Sequence, residues 1–220
     1  MVNSHPPPSH STCQCAPVPY PGRGFPIRLA FDYGKLEFED VRLTFPQFSE
    51  QKASLPFGSL PVLRVSEDGA KEQEFAQSNA ILRFVGRKVG LYPSNELEAL
   101  AVDQFLDAAE DIGKAIGPSN SEKDEAVKAA MRETLASTTI PRYLKGIERL
   151  LEANKGDGPF AVGDKLSIAD LKLFGLVRYL NSGTLDGIPT TIVDPYPRAV
   201  GLAKAVGDLD FVKEHLQKHA

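Results

Sequence analysis

The sequence predicts two domains of different class, an α/β half followed by an all-helical half. Three features carry that prediction. Through Val89 short alternating apolar runs are interleaved with helical ones, whereas beyond Pro93-Ser94-Asn95 the apolar spacing is helical to the end. Leu60-Pro61 stands before the apolar run Val62-Leu63, and an X-Pro bond in that place can be held cis so that backbone groups are left free. Gln77-Ser78 opens the helical run Asn79 to Val85, and a serine N-cap aims its hydroxyl and the first backbone N–H groups at an anion. Together the last two features would grip a small peptide carrying a carboxylate.

Taken in order, residues 1–19 are rich in Pro, Ser, His and Cys without an apolar period. Residues 1–15 are therefore assigned to a divergent, disordered tail and the first domain to residues 16–93, any first strand being irregular. Ile27, Ala30, Phe31 and Gly34 recur at helical spacing, giving a first helix ended by glycine. Val41, Leu43 and Phe45 alternate with Arg42 and Thr44 and predict a strand. Leu60 to Val65 is a second apolar strand, turned by Ser66-Glu67-Asp68-Gly69 into a short partner ending near Ala76. The helix from Ser78 to Val89 closes this half.

Pro93-Ser94-Asn95 reads as a linker to a second domain over residues 96–220. Val102, Phe105, Leu106, Ala109, Ile112 and Ile116 form one helical stripe; Ile140, Tyr143, Leu144, Ile147, Leu150 and Leu151 form another, which Pro141 starts or kinks. From Ile168 to Leu180 the chain is apolar on nearly every face, which places that helix at the centre of the domain. Ser167 with Asp170 resembles a capping box with a shortened acid, and both are read as folding signals rather than ligands.

Composition narrows the function classes. The chain has 220 residues, more than a typical single domain, and its 42% hydrophobic content suffices for packed cores. A formal net charge of −4 with interleaved signs argues against nucleic acid or an anionic membrane as the partner. No apolar stretch reaches the roughly 18 residues that a membrane span requires, and Met1 to Pro8 lacks the apolar core of a secretory signal, so the cytoplasm is the expected compartment. Cys13 and Cys15 stand too close together to staple distant segments, and a reducing compartment suits them.

Phe57-Gly58-Ser59-Leu60-Pro61, Gln77-Ser78 and the downstream segment Val162-Gly163-Asp164-Lys165-Leu166-Ser167-Ile168-Ala169-Asp170-Leu171 resemble the cytosolic glutathione transferases, nearest to the sigma-like members. The resemblance runs from about Gly22 to the C-terminus. It implies a thioredoxin-like first domain, whose first strand the resemblance supplies, and an all-helical second domain. It also implies glutathione as co-substrate with no separate cofactor and no metal, and a second pocket in the helical domain for a small apolar electrophile. Gln77 and Ser78 match the pair that holds the γ-glutamyl end, and Leu60 before Pro61 the backbone that pairs with the cysteinyl unit in the manner of a borrowed edge strand. An ordinary N-cap and a structural proline are the readings of these residues without a ligand. Phe48 and Lys52 fall where relatives place a Trp and a Lys over the glycine end; Lys52 either pairs the glycyl carboxylate or is simply solvated. Asp111 matches the acid that reaches the partner subunit's glutathione, which implies a homodimer, while Asp103 and Asp107 read as solvent-facing turns of the same helix.

Such a site must ionise a thiol, because the thiolate is the nucleophile and a free thiol has a pKa of about 8.5. Lowering that value by about two units takes about 2.7 kcal/mol of preferential thiolate stabilisation. The family's device is a tyrosine hydroxyl beside the sulfur, helped by an Arg. Counting back from Gly22-Arg23-Gly24, the tyrosine position falls on Pro17, which has no donor. The nearest Tyr is Tyr20, read either as the displaced donor or as an ordinary loop residue. Arg23 matches the helper Arg, but Phe25 stands where the family has a Glu and leaves Arg23 without its usual orienting partner.

Cys13-Gln14-Cys15 offers a second route, mixed-disulfide exchange with glutathione, although the spacing is not C-x-x-C. Metal binding with His10 lacks a fourth ligand. His5, His215 and His219 lie in terminal segments and are expected to titrate in water. The leading reading is therefore a glutathione transferase of detoxification and glutathione metabolism. A glutathione-binding or structural homologue without turnover, or a Cys-dependent thiol–disulfide reductase, stand as alternatives.

Overall fold

A computed structural model of the chain describes residues 10–15, 22–66, 71–154 and 156–219. The first half holds β1 (His10–Cys15), α1 (Phe25–Tyr33), β2 (Glu39–Arg42), α2 (Phe45–Gln51), β3 (Val62–Ser66), β4 (Gln73–Ala76) and α3 (Ser78–Lys88). The sheet order is β2-β1-β3-β4, with β1 parallel to β2 and antiparallel to β3, and β3 antiparallel to β4. β1 to β2 through α1 is thus a parallel crossover, and the β3–β4 hairpin completes the sheet.

Two expectations change here. Residues 10–15, expected within a disordered tail, form the strand that pairs on both edges. Ser11, Thr12, Cys13 and Gln14 are all buried, and a strand covered on both faces needs no alternating pattern, so period two could not reveal it. The strand expected to run through Phe45 instead ends at Arg42. Thr44 caps α2 in a capping box, its backbone N–H donating to Gln47 Oε1 at 2.8 Å, and Pro46 lies in the first turn. Phe45 is 73% exposed, so its apolar character reflects no core face of this chain.

Gly34 ends α1 with φ −77°, an ordinary helical value. It is glycine for lack of room, since a β-carbon would collide with Val89 Cγ1 at the end of α3.

The second half is α4 (Glu96–Ser121), α5 (Glu125–Thr134), α6 (Ile140–Ala153), α7 (Ile168–Leu180), α8 (Pro197–Gly207) and α9 (Asp210–Lys218). Asn95 caps α4 by accepting from Leu97 and Glu98 backbone N–H groups at 3.0 and 3.1 Å. The α4 stripe from Val102 to Ile116 is buried throughout. On α6, Ile140, Leu144, Ile147 and Leu151 are buried, while Leu150 is 37% exposed and lies at the edge of the stripe. Pro141 follows a short π-helical segment, Leu135–Thr139, within a continuous helical run from α5 into α6, and the widened turn accommodates a residue that has no N–H.

α7 is central, buried from Ile168 to Val177, and packs on α4, α8 and α1. Asp170 folds its start: Oδ2 accepts from the Ser167 backbone N–H at 2.7 Å and hydroxyl at 2.8 Å, and Oδ1 from the Ala161 N–H at 2.6 Å. Burial still pushes its carboxyl up to about 6, against the downward pull of these donors.

The halves meet along α3 and α4. Arg83 Nε donates to Asp103 Oδ1 at 2.7 Å and its Nη2 stands 3.6 Å from Asp107 Oδ1, while the Tyr92 hydroxyl donates to Asp103 Oδ2 at 3.1 Å. Asp103 is therefore the acidic side of an interdomain clamp rather than a solvent-facing turn, while Asp107, 68% exposed, faces solvent as expected at the clamp's rim. α9 docks on α1, where His215 is 5% exposed and its Nδ1 meets Asp32 Oδ2. That corrects the expectation of a solvated histidine.

Candidate functional site

The site grows from three pieces of backbone. The Leu60-Pro61 bond is cis, immediately before the β3 pairing that starts at Val62. Gln77 sits at φ +73° and ψ 106°, a region that a side-chain-bearing residue occupies at a cost of order 1–3 kcal/mol and that clusters at ligand sites. Gln77, not Ser78, is the N-cap of α3, and its side chain caps nothing. Ser78 is the first helical residue and is buried. The head of α3 thus keeps backbone N–H groups without a side-chain cap, and its dipole favours an anion there.

The other residues that the resemblance assigns to glutathione lie on α2, its following turn and α4. Phe48 is half-buried on α2. Lys52 is exposed, and its stem runs beside Gly58, whose φ of +58° admits the turn; a β-carbon on Gly58 would lie 3.6 Å from Lys52 Cγ. Asp111 lies on α4, half-exposed, where the Tyr143 hydroxyl donates at 3.5 Å and Lys114 stands 4.0 Å away. Within one chain, among the described residues, Asp111 makes no hydrogen bond or ion pair with the cluster at Leu60, Pro61, Gln77 and Ser78. Pro17 and Tyr20 lie outside the described residues. The Cys13 side chain has no exposed surface.

Arg23, in the turn before α1, does have an orienting partner. Its Nε is 3.0 Å from Glu110 Oε1 on α4. The missing Glu at position 25 is explained too: Phe25 is 7% exposed, 5.9 Å from the Phe174 ring and 5.5 Å from that of His215, so it is a core residue joining α1, α7 and α9. Glu110 Oε2 in turn accepts from Lys172 Nζ on α7 at 3.0 Å, and Lys172 Nζ also donates to Asn79 Oδ1 at 3.0 Å. Asn79 follows Ser78 directly and donates to Asp107 Oδ1 at 3.1 Å and to the Leu106 carbonyl at 3.2 Å. One polar network therefore links the turn before α1, the head of α3, α4 and α7. Burial pulls the Lys172 ammonium pKa down, and Glu110 pulls it back up.

Arg23, Glu110 and Lys172 also line a cavity of about 560 Å³ between the two halves, whose remaining wall includes Pro26, Ala109, Gly175, Leu176, Tyr179 and Leu185. Its size and its mostly apolar lining with a few converging polar groups suit a small molecule. Glu110 and Lys172 escaped the sequence reading. The signal for Lys172 was available, since a lysine within a helix apolar on nearly every face has to find a buried partner.

A family model for the glutathione S-transferase C-terminal domain matches residues 110–219. Glutathione S-transferase S1 of Drosophila melanogaster is 33% identical over 193 residues, covering 88% of this chain and 73% of that protein. A glutathione S-transferase of Anopheles gambiae is 32% identical over 195 residues, covering 89% and 90%. Among solved structures, prostaglandin synthase D of Nilaparvata lugens superposes with a TM-score of 0.81 at 30% identity, covering 95% of this chain and 98% of that one. A mixed four-stranded sheet with α1 and α3, joined through a polar network to an all-helical half, defines the glutathione-transferase class of two-domain protein. This chain belongs to the glutathione S-transferase family.

Proposed function

We propose that the protein is a cytoplasmic glutathione transferase that conjugates glutathione to a small apolar electrophile. The observation that carries this reading is the uncapped head of α3, with Gln77 held at positive φ and Ser78 buried behind it, together with the cis Leu60-Pro61 bond. The γ-glutamyl carboxylate sits at the α3 N-terminus against Gln77 and Ser78. The cysteinyl unit pairs with the Leu60 backbone, and the glycyl carboxylate takes Lys52 beside Phe48.

The thiol loses its proton, and the thiolate forms a carbon–sulfur bond with an electrophile held against Pro26, Leu176 and Tyr179. The leaving group departs with the bonding pair or, in an addition, the electron pair moves onto the acceptor and is protonated from solvent. Arg23 favours the thiolate by charge, with Tyr20 as the candidate hydroxyl donor. No cofactor beyond glutathione enters these steps.

The active species is a homodimer in which Asp111 of one protomer approaches the glutathione of its partner. The large apolar side chains left exposed, Phe57 at 67% and, on α4, Leu97 at 76% and Leu100 at 58%, support burial of apolar surface by a second chain.

Calorimetry with glutathione is the test. Saturable heat at micromolar to millimolar ligand, with turnover of an aryl halide electrophile, is the expected result. Absence of binding at millimolar glutathione removes the reading, and binding without turnover leaves a glutathione-binding homologue in its place.

A further inference from the structure

Lys172 is a charge that the fold itself does not require. Burying an ammonium on a helix that is otherwise core is costly unless it is fully paired, and an apolar residue of similar length would pack there at less expense. Glu110 needs no second cation to be fixed, because Arg23 Nε already holds it at 3.0 Å. With Lys172 at 3.0 Å from the other carboxylate oxygen, the wall carries two cations and one anion. The charged groups facing Lys172 are Glu110 and Asp107 from α4 and Arg23 from the turn before α1; α3 contributes the neutral Asn79. Asp107 is 68% exposed, and Arg83 and Asn79 already engage it, so it offsets little of the excess. Lys172 uses two of its three N–H donors on Glu110 and Asn79, and Arg23, 46% exposed, pairs with Glu110 through Nε among the described residues.

We propose that Lys172 supplies the net positive charge of the cavity wall that ionises the bound glutathione thiol, acting with Arg23 across Glu110. The inference rests on the glutathione-transferase reading and goes beyond it by assigning thiol activation to an α7 lysine. A fixed positive charge favours a thiolate without donating a proton. An opposite charge close to a titrating group moves its pKa by about 1–3 units, and partial neutralisation by Glu110 brings the expected shift to the lower end of that range.

The sign of two substitutions separates this role from packing. Lys172→Met and Glu110→Gln break the same ion pair, so as structural changes they act alike. As charges they act oppositely: Lys172→Met removes the net charge and raises the thiol pKa, by about one unit, while Glu110→Gln leaves two cations unopposed and lowers it. The ultraviolet thiolate absorbance of the glutathione complex, titrated at saturating glutathione, reads both, and Lys172→Arg is expected to titrate like the wild-type protein. Shifts in the same direction, or no shift in either variant, overturn the proposal. If Lys172→Met does not fold, Glu110→Gln decides alone: a lowered thiol pKa sustains the inference, and an unchanged or raised one overturns it. Calorimetry on the wild-type protein keeps the two levels apart, since absent glutathione binding overturns the underlying reading, whereas normal binding with unmoved titrations overturns only the role of Lys172.

Discussion

Phe25 lies so close to Gly175 that a β-carbon on the glycine would stand 3.3 Å from the ring Cδ1. That spacing sets the wall between the α1 turn and α7, where Gly175 also faces the cavity. Gly175→Ala is expected to be nearly neutral in stability, because the helix gain of about 1 kcal/mol over glycine offsets a few tenths of an ångström of ring displacement. Gly175→Val adds bulk that the ring cannot absorb, so it should cost about 1–3 kcal/mol and raise the KM for the electrophile more than that for glutathione. Thermal melts and two-substrate kinetics check both statements.

Ser78→Ala should weaken glutathione binding by about 1–2 kcal/mol with little change in melting temperature. The contrast follows from geometry: Ser78 is not the helix cap, so its loss leaves α3 intact. Calorimetry beside a thermal scan reads the two effects separately, and an unchanged affinity removes Ser78 from the site.

For Asp111, the expected outcome of Asp111→Asn is a raised KM for glutathione at unchanged fold, with sedimentation as a dimer. A wild-type protein that sediments as a monomer at micromolar concentration removes the shared site and leaves the fold assignment standing.

Asp170 predicts a pH dependence of stability. Its folded pKa of about 6 exceeds the ordinary carboxylate value of 3.8, so between these values the folded chain binds more protons than the unfolded one. Stability from this group is therefore full below the unfolded value and is lost as pH rises toward about 6, a change of order 3 kcal/mol. Measured against Asp170→Asn, the wild-type protein should gain stability on going from pH 7 to pH 5. Asp170→Ala should be strongly destabilising at every pH, by about 3 kcal/mol or more, because the Ser167 and Ala161 N–H groups lose their acceptor. Denaturant melts at the two pH values give the sign.

His215→Ala should cost about 1–3 kcal/mol, since it removes the Asp32 hydrogen bond and the edge contact with Phe25 from a buried site. His219→Ala, at an exposed position, should cost less than 0.5 kcal/mol. Equal effects would contradict the docking of α9.

Much of this was legible because burial writes periodic patterns. The α4 stripe, the wholly apolar α7 and the Ser167–Asp170 box needed only spacing and capping chemistry. Leu60-Pro61 and Gln77-Ser78 were legible as local backbone chemistry. β1 was not, since a short central strand buried on both faces and built of Ser, Thr, Cys and Gln carries neither alternation nor an apolar run. α2 was hidden by Phe45, which continued the alternation of Val41 and Leu43 across the Thr44 cap. Glu110 was invisible for another reason. Among Asp103, Asp107, Glu110 and Asp111 the spacing alone does not tell which carboxylate turns inward, because that depends on where Arg23 and Lys172 arrive from other elements.

Phe25 has a reach beyond its own packing. It opens α1 directly after the turn that bears Arg23, and its ring is clasped by Phe174 on one helix and His215 on another. α1 therefore works as a strut anchored at both ends, at Phe25 and at Asp32, by the same terminal helix. The last helix of the chain, though it contributes no residue to the cavity wall given above, fixes the bearing of the guanidinium at the cavity mouth, so a lesion at the far C-terminus would be felt as a misaimed cation.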